Sequence, residues 1–226
     1  MYSENCVLKI DQSHIHELSS KVINLFSKVN RINLSIVNLD KNFDYKVYKE
    51  ELEKIANYIV DNYEDNFIKE LNIITDILFV DKMDNCNAGY KNFTLAPNGK
   101  IYMCPAFYFN NEDDYVGSLE DGIDMDKYGK HLQLEGAPVC KKCQAYQCNR
   151  CIYLNKSRTR EYNISPEVQC RKSNIERSIS VVLYEKLKGL GMNLFYEVSK
   201  LDYQDPLEIA IDKSVNNPYN LFNYDK

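Results

Sequence analysis

Between positions 140 and 151 the chain reads Cys140-Lys141-Lys142-Cys143-Gln144-Ala145-Tyr146-Gln147-Cys148-Asn149-Arg150-Cys151, four thiols within twelve residues. Two Cys-x2-Cys steps are separated by four residues. Four thiolates held this close would repel one another strongly unless a cationic centre neutralised them. Each short step lets successive backbone turns present two sulfurs to one metal. The segment is therefore expected to be built around metal ligation.

Working outward, Cys86 and Cys104 precede this run and Cys170 follows it, so seven of the eight cysteines fall between residues 86 and 170. Seven thiols exceed one four-ligand site and nearly fill two. Thr94-Leu95-Ala96-Pro97-Asn98-Gly99-Lys100-Ile101-Tyr102-Met103 reads as a hairpin, with Asn98-Gly99 supplying a positive-φ turn. Its return strand carries Cys104 back toward Cys86. Thiolates are soft anionic donors that suit iron. Zinc is the alternative metal, but a zinc ribbon usually places roughly fifteen to twenty residues between its Cys pairs. Four residues is cramped for a ribbon, and three further cysteines would have no role.

The composition fits this picture. Hydrophobic residues make up 44% of the 226 and charged residues 27%, enough to bury a core in one large domain or two small ones. A formal charge of −5 argues against broad nucleic-acid binding, which needs basic surface to displace counterions. No apolar run approaches the 18 or so residues of a transmembrane helix, so no membrane partner is expected. Met1-Tyr2-Ser3-Glu4-Asn5 lacks the basic start of a signal peptide. The expectation is a cytoplasmic chain, and in a reducing compartment clustered thiols bind metal more often than they form disulfides.

Residues 1–83 read as alternating strands and helices. Cys6–Ile10 and Ile32–Val37 are strand candidates. Ser13 is the expected cap of a helix with Leu18, Val22, Ile23, Leu25, Phe26 and Val29 on its apolar face. A second helix, from about Asp44 to Tyr63, carries Val47, Leu52, Ile55, Ile59 and Val60, with Glu50 and Lys54 as an i,i+4 pair. A strand or short helix follows over Leu71–Val80. This βαβα order implies parallel strands with helices packed on them. Two βα units cannot close a barrel and leave one sheet edge unpaired, to be covered by a partner or by the rest of the chain. Residues 84–172 form the hairpin- and loop-rich cysteine domain. Residues 173–226 comprise a helix over Ser173–Lys188, with Ile175, Ile179, Val182, Leu183 and Leu187 apolar and Gly189 as its stop, then a short helix after Asp205-Pro206 and a polar tail.

The order Cys86, Gly99-x4-Cys104, Cys140 to Cys151 and the late Cys170 resembles the seven-cysteine pattern of SPASM domains, the C-terminal extensions of radical SAM enzymes that modify peptides. That family usually has five and three residues where this chain has four and two. Leu95 to Lys100 before Cys104-Pro105, then Val116-Gly117-Ser118-Leu119, resemble SPASM hairpins. Asn85-Cys86-Asn87-Ala88-Gly89, Thr94 to Lys100, Cys104-Pro105-Ala106-Phe107-Tyr108 and Gln147-Cys148-Asn149-Arg150-Cys151 are similar, more closely, to maturases of Cys-x-x-x-repeat peptides. The similarity covers about residues 1–190 and is strongest over 84–170.

The resemblance implies an α/β partial-barrel segment followed by a SPASM-like domain holding two auxiliary [4Fe–4S] clusters. Cys86, Cys104 and Cys151 would hold the first, and Cys140, Cys143, Cys148 and Cys170 the second. No additional cysteine lies just upstream of Cys86, so the first cluster would keep an iron open to a thiolate of a Cys-rich precursor peptide. A radical SAM core needs Cys-x3-Cys-x2-Cys, and no such triplet occurs here. Cys143-x4-Cys148-x2-Cys151 comes nearest, one residue too long in its first gap. The chain alone is not expected to generate a radical from S-adenosylmethionine. It resembles the C-terminal half of a maturase, as a split subunit whose partner chain supplies the radical SAM half, a fragment or a degenerate relative. The alternative is a zinc-stabilised peptide-binding or scaffold module without redox chemistry.

Other features have plainer readings. Cys6 is expected as a small buried hydrophobe, and His14, His16 and His131 as isolated residues. Asp124-x-Asp126-x-Tyr128-Gly129-x5-Glu135 nearly fits a calcium loop, but Tyr128 and Leu132 occupy ligand positions. It reads as a solvated acidic loop. Gly189-Leu190-Gly191 follows a helix instead of a strand and is no nucleotide fingerprint. Tyr102, Phe107, Tyr108 and Tyr146 are expected as an apolar shell near the cysteines.

Overall fold

The computed structural model describes residues 5–64, 67–83, 86–129 and 132–192. His131, the short helix expected after Asp205-Pro206 and the polar tail lie outside the described residues. The chain divides into two compact units. Among the described residues, the first comprises the chain up to Met83, the short segment Ala145–Cys148 and the chain from Val168 to Met192. The second comprises Asp84–Gln144 and Asn149–Glu167.

In the first unit, strands β1 (Asn5–Asp11), β2 (Arg31–Val37) and β3 (Glu70–Leu71) form a parallel sheet in that order. Helices α1 (Leu18–Phe26) and α2 (Tyr45–Asp61) make the connections, as the βαβα pattern predicts. Alternation sets the faces of β1: Ile10 is buried and Cys6 and Leu8 pack against the core, while Val7 is 67% exposed. Arg31 and Glu70 are register partners, and Arg31 Nη1 meets Glu70 Oε2 at 2.5 Å while Nη2 reaches Asp76 Oδ2 at 2.9 Å. Among the described residues, β1 has a strand neighbour on one side only.

The helix caps differ from those expected. Asp11, not Ser13, caps the entry to the first helical segment: Asp11 Oδ1 accepts from Ser13 N at 2.9 Å, and a 3-10 turn (Gln12–Glu17) precedes α1. A carboxylate accepts more strongly than a hydroxyl. Asp44 caps α2 by accepting from Lys46 N and Val47 N. Leu52, Ile55 and Ile59 are fully buried as predicted. Lys54, however, pairs at 2.5 Å with Glu51 instead of Glu50. Glu51 is buried and also accepts from Ser19 N at 2.7 Å, so its charge gains more from the lysine than exposed Glu50 would. Over Leu71–Val80 both alternatives occur: β3 ends at Leu71 and gives way to α3 (Asn72–Thr75) and a 3-10 turn (Asp76–Phe79).

The final long helix, α7 (Glu167–Gly189), begins six residues before Ser173 and so includes Cys170. Ile179, Leu183 and Leu187 join the apolar core of this unit, but Val182 is 50% exposed. The helix is closed by Gly191 instead of Gly189. Gly191 has φ +84°, and Met192 N donates to Leu187 O and Gly191 N to Lys188 O, the two bonds of a Schellman closure.

The second unit contains a four-stranded antiparallel meander: β4 (Thr94–Leu95), β5 (Lys100–Tyr102), β6 (Gly117–Ser118) and β7 (Gly122–Ile123). The hairpin stands where predicted, with a different turn. Only Gly99 has positive φ, at +76°. Gly99 N donates to Ala96 O at 3.0 Å, which places Pro97-Asn98 at the centre of the turn. Proline suits the first central position, and glycine supplies the left-handed residue that follows. Short helices α4 (Pro105–Asn110), α5 (Met125–Tyr128) and α6 (Ile152–Thr159) complete the unit. Its core gathers Tyr102, Met103, Phe107, Leu132 and Ile152. No helix among the described residues is long and apolar enough to cross a membrane.

Candidate metal centre

All eight cysteines lie among the described residues, and no disulfide joins any of them. The second unit holds Cys86, Cys104, Cys140, Cys143 and Cys151. Cys86 is exposed and opens a tight loop in which Tyr90, Lys91 and Asn92 all donate backbone N–H groups to Asn87 O. Asn92 Nδ2 returns to Cys86 O at 2.6 Å. Asn87 adopts φ +54°, a conformation that asparagine tolerates better than most residues. The loop fixes the backbone at Cys86 without an apolar core of its own.

Cys104 follows β5 and occupies the N-cap position of α4 without a side-chain capping bond, with Pro105 in the first turn of that helix. Cys151 caps α6, and its sulfur accepts from Leu154 N at 3.5 Å. Burial pushes the Cys151 thiol up, against the lowering effect of the Leu154 and Tyr153 amides, and Cys104 and Cys86 add to the upward shift. The hairpin and the Asn87–Asn92 loop thus bring Cys104 and Cys86 within electrostatic range of Cys151 at the start of α6.

Arg150, beside Cys151, is 1% exposed and has φ +41°. Its guanidinium donates to Leu132 O at 2.5 Å and Asn163 Oδ1 at 2.9 Å. It thereby ties the chain entering α6 to two loops. Asn155, fully buried in α6, donates to Tyr162 O at 2.8 Å. Phe107 stacks edge-on against Tyr153 at 5.3 Å. Tyr102 and Phe107 are buried here and Tyr108 packs beside them, whereas Tyr146 packs against the core of the first unit.

Cys140 and Cys143 stand at the two ends of one 3-10 turn, closed by Cys143 N to Cys140 O at 3.0 Å. Cys140 is 6% exposed, and its sulfur lies 3.8 Å from Ser165 Oγ.

In the first unit, Cys148 N donates to Ala145 O and closes the turn that precedes it. Gln169 Nε2 donates to Cys148 Sγ at 3.7 Å, and Gln147 Nε2 donates to Ser173 O at 2.8 Å. Cys170 follows Gln169 on α7, and its carbonyl accepts from Asn174 Nδ2 at 2.9 Å. Cys6 packs against the core, as its strand position predicts. His14 and His16 are exposed beside the first helical turn.

Among the described residues, no three His, Cys, Asp or Glu side chains are drawn tightly enough together to chelate a single ion. The near-calcium loop opens with Asp124 Oδ1 accepting from Asp126 N at 3.1 Å at the start of α5. The side chains that meet sulfur, Gln169 at Cys148 and Ser165 at Cys140, were not among the residues expected. The one sequence signal for Gln169 is adjacency, since Gln147-Cys148 and Gln169-Cys170 repeat the same dipeptide. Neither protein-family models nor curated proteins give a match to this chain.

Proposed function

We propose that this chain binds two [4Fe–4S] clusters, one on Cys86, Cys104 and Cys151 and one on Cys140, Cys143, Cys148 and Cys170, as part of a radical SAM/SPASM-type machinery that matures a Cys-rich precursor peptide. The S-adenosylmethionine site would lie outside this chain, in a partner or a missing core. The strongest support is that Cys86 and Cys104, far apart in sequence, both lie near enough to Cys151 to act electrostatically on its thiol. The donor set suits the cofactor: all are soft sulfur ligands, and Cys151 and Cys148 each accept a hydrogen bond from an N–H group, the kind of contact that tunes a ligand thiolate.

Such a cluster supplies a one-electron redox centre and, where an iron lacks a protein ligand, a soft acceptor for a thiolate. The chain's own residues bind, orient and shield. Cys104 and Cys151 each stand at the start of a helix, so a short, defined stretch of backbone fixes where each sulfur begins. Arg150 and Asn155 hold the start of α6 in place through buried hydrogen bonds. Tyr102, Phe107 and Ile152 form the dry side of the first set and limit water. With three protein thiolates in that set, a cysteine of the peptide is the natural fourth ligand.

Metal and acid-labile sulfide analysis of anaerobically purified protein tests this. The expected result is a brown protein with roughly eight irons and eight sulfides per chain. Zinc at one or two per chain, without charge-transfer absorption, would replace this reading with a zinc-stabilised peptide-binding module.

A further inference from the structure

Gln169 has no part in the ligand sets just proposed, yet its side chain is the one directed at Cys148. Its Nε2 lies 3.7 Å from Cys148 Sγ and 3.1 Å from Ser173 Oγ, so each of its two amide hydrogens has an acceptor. Ser173 is 2% exposed, and its carbonyl receives Gln147 Nε2 at 2.8 Å. The residues preceding Cys148 and Cys170 are therefore both tied to one buried serine on α7. A carboxamide has a donor end and an acceptor end, and only the NH2 end attracts a thiolate. Ser173 Oγ engages the second hydrogen and keeps that end turned toward sulfur. The amide is neutral, so it changes the electrostatics at sulfur without adding a charge.

Hydrogen bonds to ligand sulfurs withdraw electron density and raise the reduction potential of an iron–sulfur centre. We infer that Gln169 sets the reduction potential of the centre containing Cys148, by donating N–H to that ligand's sulfur while Ser173 aims the amide. Gln169 is thus a tuning and positioning residue and not a ligand. This inference rests on the two-cluster function proposed above.

The test is a redox titration of the full-length, anaerobically reconstituted protein, with dithionite as reductant and electron paramagnetic resonance as readout. Wild type, Gln169→Leu and Cys148→Ser are compared, and the signal that Cys148→Ser loses identifies the centre concerned. Gln169→Leu is expected to keep its iron while that centre becomes about tenfold harder to reduce, ~59 mV for a one-electron couple. The other midpoint should stay where it is. A Gln169→Leu protein with full iron and both wild-type midpoints overturns the inference and leaves the two-cluster reading standing. Wild-type protein that takes up no iron and sulfide overturns that reading and the inference with it. Should Gln169→Leu lose the centre, Ser173→Ala decides, because it keeps the amide and removes only its second acceptor. A smaller negative shift of the same midpoint supports the role, and an unchanged midpoint overturns it.

Discussion

Tyr48 Oη donates to Glu176 Oε1 at 2.5 Å, joining the first turn of α2 to the middle of α7 across 128 residues of sequence. Glu176 is 1% exposed and also pairs with buried Lys172. Burial, reinforced by the Glu176 charge, pushes the Tyr48 hydroxyl well above its ordinary range, so it remains a donor throughout the physiological range. This network fixes α7 to α2 two turns beyond Cys170. Removing the carboxylate leaves Lys172 buried without its partner, so Glu176→Ala should cost roughly 3–5 kcal/mol. Tyr48→Phe removes one hydrogen bond to a charged group and should cost less, roughly 1.5–3 kcal/mol. Urea unfolding midpoints at constant slope measure both. Equal losses in the two variants would show that the lysine does not depend on Glu176.

Two glycines of the meander should respond very differently to alanine. A Cβ on Gly117 would lie 2.0 Å from the backbone oxygen of Gly122, whereas nothing stands within 4 Å of a Cβ on Gly99. Gly99→Ala should therefore carry only the strain of its φ of +76°, roughly 1–2 kcal/mol. Gly117→Ala must push β6 and β7 apart and should cost distinctly more. Thermal unfolding of both variants beside wild type ranks them, and a Gly117→Ala protein no less stable than Gly99→Ala would refute the close approach.

The sheet-forming half of this pattern was open to sequence reasoning because it depends on local periodicity. Cys6, Leu8 and Ile10 alternate with Val7 and Lys9, and Leu52, Ile55 and Ile59 recur at helical spacing, so β1, β2 and α2 could be read within a residue or two. All seven clustered cysteines were equally plain. What could not be read depended on atoms distant in sequence. The Gly117–Gly122 approach is one case, and the choice of Glu51 over Glu50 by Lys54 is another, since only the fold reveals that Glu51 is buried. Tyr102 and Tyr146 look alike as aromatic neighbours of cysteines, yet they enter different cores. The early start of α7 had a local signal in Ser165-Pro166-Glu167, a helix-opening sequence. The apolar spacing from Ile175 onward marks only the later part of the helix. The Gln169 contact to sulfur had none beyond adjacency to Cys170, because a glutamine's direction is set by what packs around it.

Asp11 offers a pH test of the first helical cap. Hydrogen bonds from the Ser13 backbone and side chain, then from Asn38, lower its carboxyl from 3.8 to about 2. A depressed folded value means that the stabilisation is complete above the unfolded pKa and is lost as pH falls through the folded one. The stability gap between wild type and Asp11→Ala should therefore be constant above about pH 4 and shrink as pH falls toward 2. Urea titrations at stepped pH measure the gap. A gap that widens with acid would contradict the capping role.

The most direct check on the central claim is the iron content of Cys151→Ser beside wild type and Cys6→Ser, all reconstituted anaerobically under identical conditions. If Cys151 belongs to one of two four-iron centres, Cys151→Ser should retain about half the wild-type iron and one of two cluster signals, while Cys6→Ser, altered only in the core of the first unit, keeps both. Wild-type iron in Cys151→Ser, or a wild type that binds none, would contradict the account.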